Sequence, residues 1–280
     1  MAIEHPTAMV TGASSGFGML TAVTLAKKGY CVVATMRDLD NGKRLLELAE
    51  AAGVREAIEI VQVDVTVHAT IEQAVAAIIR EYGRIDVLIN NAGFATGGYV
   101  EDVPMDAWRA QLETNVFGVI AATKAVLPHM RIQGSGCIVN VSSVSGLSAF
   151  PGYAPYSTSK FAIEGFSESL RLEMKPYGVK VILIEPGAYR TEIWRKGFDA
   201  VHTYESSPYR SRLNKMLRYS KQAAESATDP QEVADQIAAV VGAANPRLRY
   251  LLGRGVRLGL WGRTLLPWKW YEAIVLRLLR

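Results

Sequence analysis

Cysteine is nearly missing from this sequence. Cys31 and Cys137 both stand in apolar runs, where small residues are packed rather than bridged, so a disulfide scaffold is excluded. Histidine is almost as scarce. His5, His68, His129 and His202 are scattered without metal-ligand spacing, so no metal is expected. The opening Met-Ala-Ile-Glu-His-Pro has neither the basic nor the apolar region of a secretory signal. The long uncharged run between Arg131 and Lys160 is broken by glycine, proline and serine, which excludes a membrane span. No basic stripe crosses the body of the chain, so no nucleic-acid groove is expected. These absences point to the cytoplasm.

What is present is a chain of 280 residues, 49% apolar, with a formal net charge of +4. That is enough to bury a large core, and single α/β domains of this length are common. The charge is uneven. Residues 254–280 carry Arg254, Arg257, Arg263, Lys269, Arg277 and Arg280 against Glu272 alone, leaving the rest near neutral.

Short apolar runs alternate with helix-period segments. Strands are expected at 8–11, 31–36, 58–63, 87–90, 137–142, 179–184 and 250–252, and helices near 16–29, 40–52, 68–82, 106–131, 157–175 and 230–243. The last helix opens on Asp229-Pro-Gln-Glu232, read as a proline at the first helical position inside a capping box. Continuous Val/Ile strands are buried on both faces, and strand–helix alternation gives an α/β, doubly wound parallel sheet with helices on both faces. The reading is one domain over residues 1–253. Segment 188–228 breaks the alternation, as a lid over a site or as a plain surface helix pair. The basic segment 254–280 follows as a tail.

Two patterns carry chemistry. The first strand runs into Thr11-Gly12-x-x-x-Gly16-x-Gly18 before a helix. Such a turn lets backbone approach a pyrophosphate, and the helix N-terminus offers free N–H groups. Later comes Tyr156-Ser-Thr-Ser-Lys160, with Ser143 thirteen residues upstream of the tyrosine. The i, i+4 spacing puts Tyr156 and Lys160 on one helical face. A phenol loses its proton near pH ~10, and a neighbouring ammonium lowers that value. The pair taken alone reads as an ordinary exposed Tyr–Lys contact.

Its companions reverse that reading. Thr11, Gly12, Gly16 and Gly18, then Asp64, Asn90–Gly93, Asn115, Ser143, Tyr156, Lys160, Pro186, Gly187 and Thr191 fall in the order of the short-chain dehydrogenase/reductase family, which this chain resembles. The resemblance implies a Rossmann-like fold and hydride exchange between a nicotinamide and a carbonyl or alcohol. It implies Tyr156 as proton donor, Lys160 tuning its pKa and holding the nicotinamide ribose, Ser143 on the substrate oxygen, and Asn115 holding a water. For the cofactor it implies Gly12, Ser14, Ser15, Gly16, Phe17 and Gly18 at the turn. Asp64 and Val65 follow, then Asn91, Ala92 and Gly93, with Tyr156, Lys160, Pro186, Gly187 and Thr191 further along. Phe17 stands where the family usually has Ile or Leu, at a place where backbone matters.

In the family pattern Met36 occupies the place of the acid that marks NAD sites, and Arg37 follows it. Arginine can grip a 2′-phosphate bidentately, so NADP is expected over NAD. Ser143, Leu147, Phe150, Tyr189, Trp194 and Phe198 are the expected wall of a pocket for a hydrophobic ketone or aldehyde, or the packing of a lid. The run Ala34-Thr-Met-Arg-Asp-Leu39 resembles the steroid- and retinol-handling branch. A homodimer or homotetramer is expected through the helices of Asn115 and Tyr156. The alternatives are a non-catalytic dinucleotide sensor or scaffold on the same fold, and an NAD-dependent alcohol dehydrogenase.

Past Pro267, residues 268–280 form an amphipathic pattern. Trp268, Trp270, Tyr271, Ile274, Val275, Leu278 and Leu279 share one side, opposite Lys269, Glu272, Arg277 and Arg280. Such a helix packs on the protein or lies in a membrane interface as a peripheral contact.

Overall fold

The computed structural model describes residues 5–278. The chain runs through β1 (Thr7–Thr11), α1 (Gly16–Lys27), β2 (Cys31–Met36), α2 (Lys43–Ala51), β3 (Ile58–Gln62), α3 (His68–Tyr82) and β4 (Val87–Asn90). Next come β5 (Gly97–Gly98), α4 (Met105–Leu112), a π-helical turn (Glu113–Phe117), α5 (Gly118–Gln133), β6 (Gly136–Val141), α6 (Ala154–Met174) and β7 (Val179–Pro186). The remainder is α7 (Glu192–Asp199), β8 (Val201–His202), α8 (Arg210–Glu225), α9 (Gln231–Val241), β9 (Arg249–Leu252), α10 (Val256–Leu265) and α11 (Trp268–Leu278).

Seven strands form one parallel sheet in the order β3-β2-β1-β4-β6-β7-β9. Period-two alternation sends successive strand residues to opposite faces. Ala8, Val10, Val32 and Ala34 pack beneath Ala22 and Leu25 of α1 and Ile237 of α9. Met9, Val33 and Leu88 pack on the other face with Ile71 and Ile78 of α3, Val126 of α5 and Leu170 of α6. With helices on both faces, the single Rossmann-like domain expected from the sequence is the one that forms. Cys31 and Cys137 are both unbridged.

Three local expectations need correction. The helix expected across 106–131 is interrupted by the π-helical turn. At α9, Pro230 precedes the first helical residue, and Asp229 Oδ1 caps the backbone N–H of Gln231 at 2.9 Å. Residues 188–228 are not a helix pair alone, because β8 lies between α7 and α8 and pairs in parallel with β5. The expected tail helix starts at Trp268, and Leu279 and Arg280 lie outside the described residues. Among the described residues no helix is long and apolar enough to cross a membrane.

Candidate active site

β1 has β2 on one side and β4 on the other, and the next element in sequence leaves it through the glycine turn. This is the reversal point of the sheet, where open α/β folds bind ligands. Gly12 and Gly16 hold φ of +66° and +55°, a region that disfavours side chains. A Cβ on Gly12 would come within 2.7 Å of the Ala92 Cα, so the loop after β4 rests directly on the turn. Thr11 Oγ1 accepts from the backbone N–H of Asn91 at 3.0 Å and of Ala92 at 3.1 Å. The Asn91 amide donates to the carbonyl oxygens of Thr11 and Gly12. Its side chain thus holds the turn together. Ser15 caps α1 without any side-chain bond to the helix. The first N–H groups of α1 lack a side-chain partner, an arrangement that fits a pyrophosphate. Ser14, Phe17 and Gly18 belong to the same turn and first helical residues.

At the end of β2, Met36 is buried and Arg37 is exposed. The Asp38 carboxylate is turned into the following 3₁₀ turn, where it accepts from the Asp40 N–H at 3.0 Å and the Asn41 amide at 2.8 Å. After β3, Asp64 Oδ1 accepts from the N–H and hydroxyl of Thr66, while Val65 is buried in the second core cluster.

Ser143 follows β6, and Tyr156 and Lys160 share the first turns of α6. The Lys160 Nζ lies 5.7 Å from the centre of the Tyr156 ring and donates to the Val141 carbonyl at 2.8 Å. Burial pushes the Tyr156 phenol above its ordinary pKa, and a hydrogen bond with Ser143 pulls it back. The lowered tyrosine pKa expected from the ion–phenol pair is therefore not found in the protein alone. Burial also pushes Lys160 down to about 8, against the attraction of Glu164, and an ammonium held at that value gives the phenolate less support. Behind Lys160, Ser142 donates to the Glu164 carboxylate. Arg249 pairs with Glu164, with Glu185 at 2.5 Å and with Glu168 at 2.6 Å.

Asn115 lies inside the π-helical turn and is buried. Its Oδ1 accepts from the Phe94 N–H at 3.1 Å, and its Nδ2 donates to the Phe94 carbonyl at 3.0 Å and the Ser159 hydroxyl at 3.2 Å. A Cβ on Gly93 would stand 3.1 Å from that Oδ1. The turn thus fastens α6 to the loop after β4.

Ser143 and Tyr156 open onto a cavity of about 340 Å³, whose lining also includes Phe150, Tyr189, Trp194, Phe198, Pro186, Gly187 and Thr191. Leu147 does not line it; its carbonyl instead accepts from Arg263. Tyr189 is more a core residue than a wall, buried with its ring edge-on to Phe17 at 5.6 Å. Sequence reasoning missed the lining residues Tyr219, Ser220 and Ala223. All three come from α8, and only their i, i+1, i+4 spacing hinted at a shared face. Among the described residues no cluster of acid, histidine or cysteine side chains could hold a metal.

The short chain dehydrogenase profile matches residues 6–201. The chain belongs to that family. An uncharacterized oxidoreductase, YusZ of Bacillus subtilis, is 47% identical over 271 residues, 96% of each chain. The 3-ketodihydrosphingosine reductase of Bacteroides thetaiotaomicron is 37% identical, covering 88% of this chain and 87% of that one. Human 17-beta-hydroxysteroid dehydrogenase type 1 is 36% identical over 86% and 76%, in keeping with the steroid-type branch. A Streptomyces avermitilis short-chain dehydrogenase superposes with a TM-score of 0.81 at 33% identity, covering 98% of this chain and 95% of that one. A Burkholderia phymatum relative in complex with NAD gives 0.80 at 27% over 95% and 96%. A metagenomic short-chain oxidoreductase in complex with NADP gives 0.71 at 26% over 88% and 96%. The chain is thus an oxidoreductase of this family, and the last two solved relatives hold NAD and NADP respectively.

Proposed function

We propose that this chain is an NADP(H)-dependent enzyme that interconverts a bulky hydrophobic ketone or aldehyde and its alcohol. The observation that carries the reading is the meeting of Ser143 and Tyr156 on one largely apolar cavity, with Lys160 one helical turn behind the tyrosine. The nicotinamide would supply the hydride. Tyr156 gives its proton to the carbonyl oxygen. Its raised pKa keeps it protonated at neutral pH, as a donor must be. Ser143 donates a hydrogen bond to the same oxygen and stabilises the charge that develops there. Lys160 would hold the ribose, and its ammonium stabilises the phenolate left when Tyr156 gives up its proton. Asn115 fixes the start of α6 and holds a water beside Lys160.

NADP is favoured because the place of the NAD-marking acid at the end of β2 is taken by Met36, which is buried, while the Asp38 carboxylate is engaged in its own turn. Arg37 remains for a 2′-phosphate. The NAD-bound relative favours a second reading, an NAD-dependent alcohol dehydrogenase with the same catalytic residues. For the substrate, a sphingoid ketone reductase and a steroid dehydrogenase among the relatives support a lipophilic molecule. Segment 188–228 would act as the lid, since Tyr189, Trp194, Phe198 and Tyr219 all border the cavity. A homodimer or homotetramer through α5 and α6 is supported by the exposed Ile132, Phe161 and Leu172 on those helices and by Phe117 before them.

The deciding experiment measures NADPH and NADH oxidation over a panel of hydrophobic ketones and aldehydes. Turnover of at least one carbonyl, faster with NADPH, is expected. Tight NADPH binding with no turnover of any carbonyl would make the chain a dinucleotide sensor or scaffold instead.

A further inference from the structure

The last two helices face two ways. On their inner side Arg263 donates to the Leu147 carbonyl, and the Tyr271 and Ser148 hydroxyls bond at 2.9 Å. Val275 packs on the cluster of Leu213 and Met216, together with Phe150 and Tyr153. The pair is thereby fastened to residues 147–153, the segment that ends in the cavity wall. On the outer side Leu258, Trp261 and Leu265 follow one another at i, i+3, i+7 on α10 and are 77%, 70% and 77% exposed. Trp268 and Trp270, at the two edges of the α11 face that carries Tyr271 and Val275, are 64% and 66% exposed. The same segment carries the exposed cations Arg254, Arg257, Lys269 and Arg277, and Glu272 is the one acid in residues 254–278.

We propose that this outer face is a seat on an anionic lipid surface. Exposed apolar residues gathered on one helix face, rather than scattered singly, mark an interaction surface. A second copy of the chain meeting it about a two-fold axis would bring two cation-rich surfaces together. A bilayer with anionic headgroups meets both needs at once. Leu258, Trp261 and Leu265 enter the acyl boundary, Trp268 and Trp270 lie at headgroup level, and the arginines and lysine reach phosphates. Neither helix is long enough to span the bilayer, so the pair lies on the surface. Because its inner side holds the cavity wall, the seat brings the cavity to the membrane. On the reading that the substrate is a lipophilic carbonyl, which rests on the function proposed above, the molecule then enters from the bilayer.

The test is flotation of the full-length protein with phosphatidylcholine vesicles, with and without phosphatidylserine. Flotation needs no turnover, so its failure is separate from failure of the catalytic reading. The protein should float with the anionic vesicles, release as salt rises, and stay behind with phosphatidylcholine alone. The triple variant Leu258→Glu, Trp261→Glu, Leu265→Glu should bind more than about tenfold more weakly. Its unchanged melting temperature and circular dichroism would show an intact fold. Absence of flotation with anionic vesicles, or equal flotation of the variant, overturns the proposal. So does a wild-type protein that fails to float and whose mass by light scattering drops in the variant, because the face would then join two copies of the chain.

Discussion

Asn91 Nδ2 donates to the carbonyl oxygens of Thr11 and Gly12 at 3.0 Å each, tying the loop after β4 to the glycine turn after β1. Two neighbouring carbonyls therefore depend on one side chain. Asn91→Leu keeps the bulk and removes both donors. It should lower stability by about 1–3 kcal/mol in urea denaturation and weaken NADPH in a fluorescence titration. Unchanged values for both would show that the turn holds its shape by itself.

Tyr156→Phe should abolish turnover and leave NADPH affinity nearly intact, because only the transferable proton is lost. Lys160→Met should damage both. Near-native turnover in the phenylalanine variant would remove Tyr156 from the mechanism.

Lys160 also gives a pH signature. Its folded pKa of about 8 lies below the ordinary 10.5, so between these values the unfolded chain binds more protons at this site than the folded one. Stability from this group rises with pH in that window. The wild type should therefore gain on Lys160→Met between pH 8 and 10.5, read as the difference in denaturation free energy. A difference that is flat or falls with pH would show that Lys160 is not desolvated.

Arg249 faces three carboxylates, with Glu164 and Glu185 nearly or fully buried. Arg249→Met leaves them without their cation and should lower stability by about 3–5 kcal/mol. Burial raises Glu185 to about 7 against 4.5 unfolded, so its contribution is present below 4.5 and is lost as pH climbs through 7. The deficit of the variant should be smaller at pH 5 than at pH 8, since protonation relieves the unpaired acids. An equal deficit at the two pH values would point to lost packing alone.

Arg37→Ala should weaken NADPH on the order of 1.5–3 kcal/mol and spare NADH. Equal effects on the two cofactors would leave Arg37 a surface cation. At micromolar concentration, light scattering should report a dimer or tetramer, and Phe161→Glu should dissociate it.

The sheet was legible because its central strands are mostly apolar runs, with Ala8–Val10 and Val32–Val33 among the most buried positions. Tyr156 and Lys160 were legible because i, i+4 spacing survives whatever surrounds a helix. The tyrosine's pKa was not, since burial is a property of the whole fold and here it outweighs the hydrogen bond with Ser143. Tyr219 and Ser220 were hidden for the same reason, because nothing near them in sequence says which surface α8 covers. Leu147 lies outside the cavity lining, and its carbonyl accepts from Arg263. α10 was missed because its large apolar residues face outward, which deprives a periodicity argument of its usual meaning.

The π-helical turn at Glu113–Phe117 makes chain length itself a specified quantity. A regular helix advances about 100° per residue, and a π-turn absorbs extra chain without that advance. Removing one residue there would let α4 and α5 run on as one ordinary helix. It would leave Ala122, Val126 and Met130, all fully buried, facing the sheet, but would remove the widened turn from which Asn115 reaches Phe94 and Ser159. Substitutions in this turn are graded in their effects, whereas a single deletion removes the turn itself. Between Leu112 and Gly118, spacing is a stricter inheritance than composition.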